Sequence, residues 1–187
     1  NIDTMTQYDV KKIITTCPHC FNVIKNEYPH LGGQYNVLHY SEFVADLIEQ
    51  GKIAPKLKTD ETVSYHDSCY LGRHNGIYDQ PRRLLNTIPG LEIIEMGRCK
   101  DKGFCCGAGG GHMWIEESGG KRINKERIEE FVGTGASTLG VSCPFCLQML
   151  SEGIESAGQS GNKKVRDVLE LLDESLDGEN QSQGPSF

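Results

Sequence analysis

Apolar and polar positions along the chain fall into short β-branched runs that alternate with amphipathic stretches of helical length. KKIITT (11–16) reads as a strand ending at Cys17-Pro18-His19-Cys20, and FNVIKNEY (21–28) continues as a helix. Proline at the second place of that motif suits a first helical residue, where the missing N–H costs nothing. HLGGQY turns the chain, and NVLHY is a second short strand. SEFVADLIEQ (41–50) then sets Phe43, Val44, Leu47 and Ile48 on one helical stripe, with Ser41 as its cap. GKIAPKLKTDE (51–61) is polar, contains Pro55 and reads as a linker. Beyond it, TVSYH is a strand leading to Asp67-Ser68-Cys69, and PRRLLNTI is a helix that stops at Pro89-Gly90. LEIIEM is a strand and FCCGAGGG (104–111) a loop, followed by the charged helix KRINKERIEEFVGTG. STLGVS is a strand running into Cys143-Pro144-Phe145-Cys146, and LQMLSEGIESA and VRDVLELLDESL are helices. Residues 178–187 have no reason to fold and are expected to be a disordered tail.

Strands alternating with helices predict an α/β protein with mainly parallel sheets flanked by helices. The pattern also repeats. KKIITTCPHCFNVIKNEY and STLGVSCPFCLQMLSEGI share strand, CPxC and helix, with Cys17 and Cys143 in the same place. Each copy is followed by a further amphipathic helix, SEFVADLIEQ or VRDVLELLDES. The expected organisation is the C-terminal part of a first cysteine-rich unit (1–50), a linker (51–61) and a complete second unit (62–177).

Charge and composition narrow the function. The chain has 187 residues, 37% hydrophobic and 24% charged, with a net charge of −7. An acidic balance offers no electrostatic case for nucleic acid or an anionic membrane surface. No apolar stretch approaches a membrane span, and no signal peptide is visible. The opening NIDTMTQYDV carries no initiator Met and reads like the middle of a folded unit, so a piece of a longer protein is expected.

Eight cysteines, at 17, 20, 69, 99, 105, 106, 143 and 146, cluster beside Gly and Pro. That spacing is unlike a disulfide scaffold and points to metal or redox chemistry in a reducing compartment. A single CPHC at a strand–helix junction suits a thiol–disulfide oxidoreductase, because the helix N-terminus lowers the first thiol's pKa. A second CPxC and the CCG have no use there. The two CPxC pairs also suit one Cys₄ zinc site in a non-enzymatic module, which leaves Cys69, Cys105 and Cys106 without a role. Cys69, Cys105, Cys106, Cys143 and Cys146 acting together exceed zinc's four ligands and suit an iron–sulfur cluster with an unusual core. Their sulfurs are then expected to lie farther apart than the ~3.8 Å edge of a zinc tetrahedron. The glycines beside Cys106 let backbone approach such a cluster and donate N–H groups to it, and the helix after Cys146 adds its N-terminus.

The arrangement Cys69, Cys105-Cys106-Gly107, Cys143-x-x-Cys146 resembles the cysteine-rich CCG domain found in the B and D subunits of heterodisulfide reductase and in related iron–sulfur oxidoreductases. The resemblance implies two such units, with Cys17 and Cys20 closing a first unit whose other ligands lie upstream. It implies metal ligation by Cys17, Cys20, Cys69, Cys105, Cys106, Cys143 and Cys146. The cofactor it implies is a cluster of [4Fe-4S] type, the non-cubane form included, with a second site only partly present. YHDSCYLGRHNGIYDQPRRLL, FCCGAGGGHMWIEE and GGKRINKERIEE are similar to the membrane-bound reductases that work with electron-transfer flavoprotein. That similarity implies electron relay from the flavoprotein to quinone, ferredoxin-type and membrane domains upstream, and a location on the cytoplasmic side of a membrane. The heterodisulfide reductase branch implies the alternative, disulfide cleavage at the cluster.

Other residues invite less. His66 and His112 flank the motifs and can donate hydrogen bonds or protons, but a solvated or locally bonded histidine is the ordinary outcome. Arg73 and His74 are candidates for the entrance, and His19 can tune its neighbouring thiols although Phe145 fills its place in the twin. Cys99 breaks the pattern and is expected to be an ordinary thiol. Met113 and Trp114 are expected to be packing residues. No residue is assigned as a catalytic acid or base.

Overall fold

Two parallel sheets organise the chain, which the computed structural model describes over residues 1–115 and 120–176. Helix α1 (Ile2–Gln7) leads into strand β1 (Lys12–Thr15), helix α2 (Pro18–Asn22), strand β2 (Asn36–His39) and helix α3 (Tyr40–Glu49). After an irregular stretch come β3 (Thr62–Tyr65), α4 (Asp79–Thr87), β4 (Glu92–Ile93), α5 (Ile123–Gly133), β5 (Thr138–Val141), α6 (Pro144–Ser156), β6 (Lys164–Asp167) and α7 (Val168–Glu174). Strands β1 and β2 form one sheet, with Ile13 opposite Val37. The other runs β4-β3-β5-β6, all parallel, with Ser64 opposite Leu139 and Leu139 opposite Val165.

Side-chain alternation gives the larger sheet two apolar faces, as a buried parallel sheet needs. Leu139 and Val141 pack with Ile128, Phe131, Met149 and Leu150 under helices α5 and α6. Val63 and Tyr65 pack on the other side with Leu84, Leu85, Leu171 and Leu172 of α4 and α7. Tyr40, Val44 and Ala45 of helix α3 belong to that same cluster, so residues before the 51–61 segment complete the core on this face of the larger sheet. A third cluster joins Phe21 and Val37 to Leu71 and Ile77, from the turn that follows Cys69. The 51–61 segment is tethered: the N–H groups of Lys56 and Leu57 donate to Ser175 O (2.8 and 2.9 Å), and that of Thr59 to Pro89 O (2.9 Å).

Several elements differ from the sequence expectation. VRDVLELLDESL is not one helix, because Lys164–Asp167 pairs with β5 as an edge strand. Asp167 then caps α7 through Leu169 N, while Glu170 returns a carboxylate to Asp167 N, a reciprocal capping box. The equivalent cap of α3 is His39, not Ser41: its ring accepts from Ser41 N, and Glu42 accepts from His39 N. LEIIEM keeps only two residues in the sheet, since Glu95 turns to Arg82 and Met96 enters the core. FNVIKNEY is regular only to Asn22, widens to a π turn over Val23–Glu27 and tightens to a 3₁₀ turn at Tyr28–Leu31. The expected tail, 178–187, lies outside the described residues.

Candidate metal centre

Three strand ends supply the thiols. Parallel strands β3 and β5 finish side by side, where open α/β sheets hold ligands. The N–H of His66 bonds Gly140 O at 2.8 Å, and from there one chain turns to Cys69 and the other to Cys143. A tight turn, with Gly72 N donating to Ser68 O at 2.9 Å, holds Cys69. Pro144 starts α6, which puts Cys143 at its N-cap and Cys146 in its first turn. The loop after β4 brings Cys105 and Cys106, then folds back on Gly110 and Gly111 at φ 66° and 79°, a backbone that side chains resist.

The five sulfurs make one continuous series. Cys146 donates to Cys106 at 3.5 Å, and each remaining thiol shifts the titration of its neighbour: Cys69 that of Cys105, Cys106 that of Cys105, and Cys146 that of Cys143. The 3.5 Å separation is shorter than expected for metal-bound thiolates, and it is the spacing of an S–H···S bond between thiols. Backbone N–H groups reach the same sulfurs: Gly107 N to Cys105 at 3.3 Å, Ala108 N to Cys106, and Phe145 and Cys146 N to Cys143.

These contacts sort the thiols into acceptors and donors. Cys105 is held far below the usual thiol range, first by the Cys106 bond and then by the Cys69 bond. Cys143 is lowered to about 5, chiefly by the Cys146 bond and, against the effect of burial, by His19 and the two helix N–H groups. Cys69 is pushed well up because it donates to Cys105, with burial adding to the shift. Cys106 is raised to about 12, first by its bond to Cys105, and Cys146 is raised by its bonds to Cys106 and Cys143. Neighbouring thiols thus oppose one another's ionisation, and added positive charge would favour the thiolate at all five.

The first CPxC pair lies beside the second. His19 bonds both Cys143 and Cys17, the latter at 3.9 Å through Nδ1, and these bonds raise its pKa to about 9. Burial pushes Cys17 up, but His19 and the N–H groups of Cys20 and His19 outweigh it, so its pKa falls. Cys20 is exposed, and its pKa rises through burial of its sulfur and the charge of Cys17. The His19 ring meets Phe145 edge-on, with centroids 5.1 Å apart, and lies 4.2 Å from Tyr70, on which His74 stacks at 4.5 Å. The sequence alone puts the two CPxC motifs in separate units, since their meeting depends on packing between distant segments.

Of the remaining candidates, His66 is the furthest from expectation. It is 1% exposed, and a ring nitrogen lies within 4.8 Å of the Cys106 and Cys146 sulfurs. Its pKa is lowered to about 3, by burial first and the charge of Arg127 second. Arg127 is not singled out by sequence reasoning; its visible signal is that Asn124, Arg127, Ile128 and Phe131 share one helical stripe, placing a cation on the core face of α5. Arg73 donates to Gly103 O at 2.9 Å, just before the CCG loop, while His112 is exposed. Cys99 begins the turn at Lys100–Lys102, with Glu95, Arg82 and Asp67 as charged neighbours. Met113 packs partly against the core, but Trp114 is 81% exposed and is not a packing residue. The glycines before it bring no side chains to cover its ring.

An iron–sulfur group fits this donor set. Five sulfurs converge, N–H donors point at three of them, and two buried polar atoms beside the thiols, His66 Nε2 and Ser68 Oγ, have no protein partner.

Fold and site together define a parallel α/β module with a cysteine-rich centre at its strand ends. The chain belongs to the CCG cysteine-rich domain family, which it matches over residues 1–25 and 63–151. It is 45% identical over 184 residues to the probable iron-sulfur-binding oxidoreductase FadF of Bacillus subtilis, covering 98% of this chain and 26% of that protein. It is 45% identical over 179 residues to EtfAB:quinone oxidoreductase of Syntrophomonas wolfei, covering 92% of this chain and 25% of that protein. A dihydromethanophenazine:CoB–CoM heterodisulfide reductase polypeptide of Methanosarcina mazei is 38% identical over 179 residues, 94% of this chain and 43% of that protein. The chain therefore spans about a quarter of the first two relatives.

Proposed function

We propose that Cys69, Cys105, Cys106, Cys143 and Cys146 hold an iron–sulfur cluster of [4Fe-4S] type, and that the unit relays electrons between electron-transfer flavoprotein and quinone within a longer reductase. The observation that carries the reading is the convergence of five neighbouring thiols from the ends of β3 and β5 and the loop after β4, one more than zinc's tetrahedron takes. Bound, such a cluster supplies one-electron storage at a potential set by hydrogen bonds to sulfur and by exposure. The chain's own part is to bury Cys106, Cys143 and Cys146 from water and aim N–H groups at sulfur. Cys17 and Cys20 are offered as two ligands of a second cluster, the others coming from an upstream part of the first unit. Ferredoxin-type and membrane segments upstream would hold the protein at the cytoplasmic side of a membrane. Relatives support this context: one from Chromohalobacter salexigens, 39% identical over 182 residues, is named a probable membrane-anchored ferredoxin. Among the described residues no helix is long and apolar enough to cross a membrane.

Anaerobic reconstitution of the chain with iron and sulfide is the test. Iron and acid-labile sulfide in equal amounts, with visible charge-transfer absorption, are expected. Zinc without sulfide would replace this reading with the zinc-stabilised module.

Disulfide cleavage is the second reading, favoured by two thiol pairs that meet at His19. Offering the longer protein reduced flavoprotein and, separately, a heterodisulfide distinguishes the two. Cluster oxidation by the heterodisulfide, with no response to the flavoprotein, would select cleavage.

A further inference from the structure

His66 sits where a metal ligand would sit. Its ring nitrogen and the sulfurs of Cys106 and Cys146 lie within 4.8 Å of one another, and all three residues are buried. The other side of the ring decides what it can do. Arg127 Nε donates to His66 Nδ1 at 3.1 Å. A guanidinium has only donors, so Nδ1 must present its lone pair, and a neutral imidazole then carries its proton on Nε2. A protonated Nε2 cannot coordinate a metal. It can donate a hydrogen bond to sulfur, and it is the ring nitrogen that has no protein partner.

The guanidinium is itself fixed. Its Nη1 donates to Glu130 Oε2 at 2.8 Å and to Arg98 O at 2.9 Å, which turns Nε toward the ring. Arg98 Nε also binds Glu130, at 2.9 Å, so the carboxylate stays paired if Arg127 is removed.

We infer that His66 presents its Nε2–H as a hydrogen-bond donor to an iron–sulfur group bound beside Cys106 and Cys146 and is not itself a ligand, and that Arg127 is the positioning residue that locks the ring in the donating tautomer. The inference rests on the iron–sulfur reading for its effect on potential, but the tautomer stands apart from it. A donated hydrogen bond stabilises the more negative, reduced state of a cluster, so its loss lowers the potential.

Two measurements test this. Long-range ¹H–¹⁵N correlation on the full chain in reducing buffer reads the tautomer directly. A proton on His66 Nε2 is expected in the wild type, and a mixture of tautomers in Arg127→Met. A proton on Nδ1 in the wild type, or no change in Arg127→Met, would overturn the assignment. The second is the reduction midpoint of the anaerobically reconstituted protein. His66→Phe, which keeps ring volume, should retain the wild-type iron content and shift the reduced-to-oxidised ratio about tenfold toward oxidised at fixed potential, about 59 mV for one electron. Iron loss as large as in Cys106→Ser would make His66 a ligand and overturn the inference, while leaving the iron–sulfur reading intact. An unchanged midpoint would also overturn it. If the wild type takes up zinc and no iron, the iron–sulfur reading fails, and the tautomer measurement still decides the role of His66.

Discussion

Replacing Arg82 with methionine should destabilise the protein by about 3–5 kcal/mol, the ordinary cost of orphaning a buried charge. Arg82 donates to both oxygens of Asp67, at 2.7 and 2.9 Å, to both of Glu95, at 2.5 and 2.9 Å, and to Tyr78 O at 2.8 Å. Burial works against its charge, but the bonds to the two carboxylates hold its pKa above the usual arginine value. The two acids will not suffer equally. Glu95 has a side chain 37% exposed and regains water, whereas that of Asp67 is 3% exposed and, among the described residues, keeps only the N–H of Lys100, at 2.7 Å. For a chain of this size, where each kcal/mol moves the melting temperature by about 2–4 °C, the fall should be roughly 6–20 °C. Anaerobic thermal and urea unfolding by far-UV circular dichroism measure it. Adding Asp67→Asn removes the stranded charge and keeps an acceptor for Lys100 N, so the double variant should recover about 1–3 kcal/mol of the loss. A double variant no more stable than Arg82→Met, or a single loss below about 1 kcal/mol, would refute the reasoning. Iron uptake should fall as well, because Asp67 joins the Cys69 turn to the loop that carries Cys105.

Three further outcomes are expected. Cys99→Ser should leave iron content at the wild-type level while Cys106→Ser lowers it sharply; equal loss in both, by metal analysis, would mean the thiol set is misassigned. His39 is lowered from 6.5 to about 4, chiefly by burial, so between these values the unfolded chain binds a proton that the native one refuses. Its stabilisation is whole above pH 6.5 and is lost as pH falls toward 4, by about 3 kcal/mol, and urea titrations should show a shallower acid slope in His39→Asn. Gly90 has φ +82° and would put a Cβ 2.2 Å from Thr59 O, so Gly90→Ala should cost about 1–3 kcal/mol in chemical denaturation by pushing the 51–61 segment off Pro89.

Much of this architecture can be read from the chain because local chemistry and tertiary structure agree. Pro18 and Pro144 mark the helix starts, and the β-branched runs before Cys17 and Cys143 mark parallel strands. Strand β6 is harder to see. Lys164 and Arg166 make it polar enough for an edge, and its last residue doubles as a helix cap. Asp167-x-x-Glu170 is nonetheless a visible capping signal that places the helix start after, not before, VRD. The grouping of Cys69 with the CCG and the second CPxC is suggested by spacing, whereas the approach of His19 to Cys143 is not, because it depends on how Phe21, Val37, Leu71 and Ile77 pack. Nor does local sequence tell whether His66 is solvated. Its burial follows from the Gly140 bond that closes the sheet end over it.

The place of helix α3 in the larger core has a mechanical consequence. Tyr40, Val44 and Ala45 are buried against α4 and α7, and Tyr40 Oη donates to Asp167 at 2.7 Å. The first CPxC is therefore held against the second by a packed wall and a hydrogen bond from the first residue of α3 to the cap of α7, not by the covalent thread between them. Lengthening the thread near Gly51, where the backbone turns through φ +68° into open space, should leave the gap between the two thiol pairs unchanged. A nick there should leave two pieces that copurify. Thiol-to-thiol distance in this protein is a property of its interior, and a change in chain length outside that interior has no lever on it.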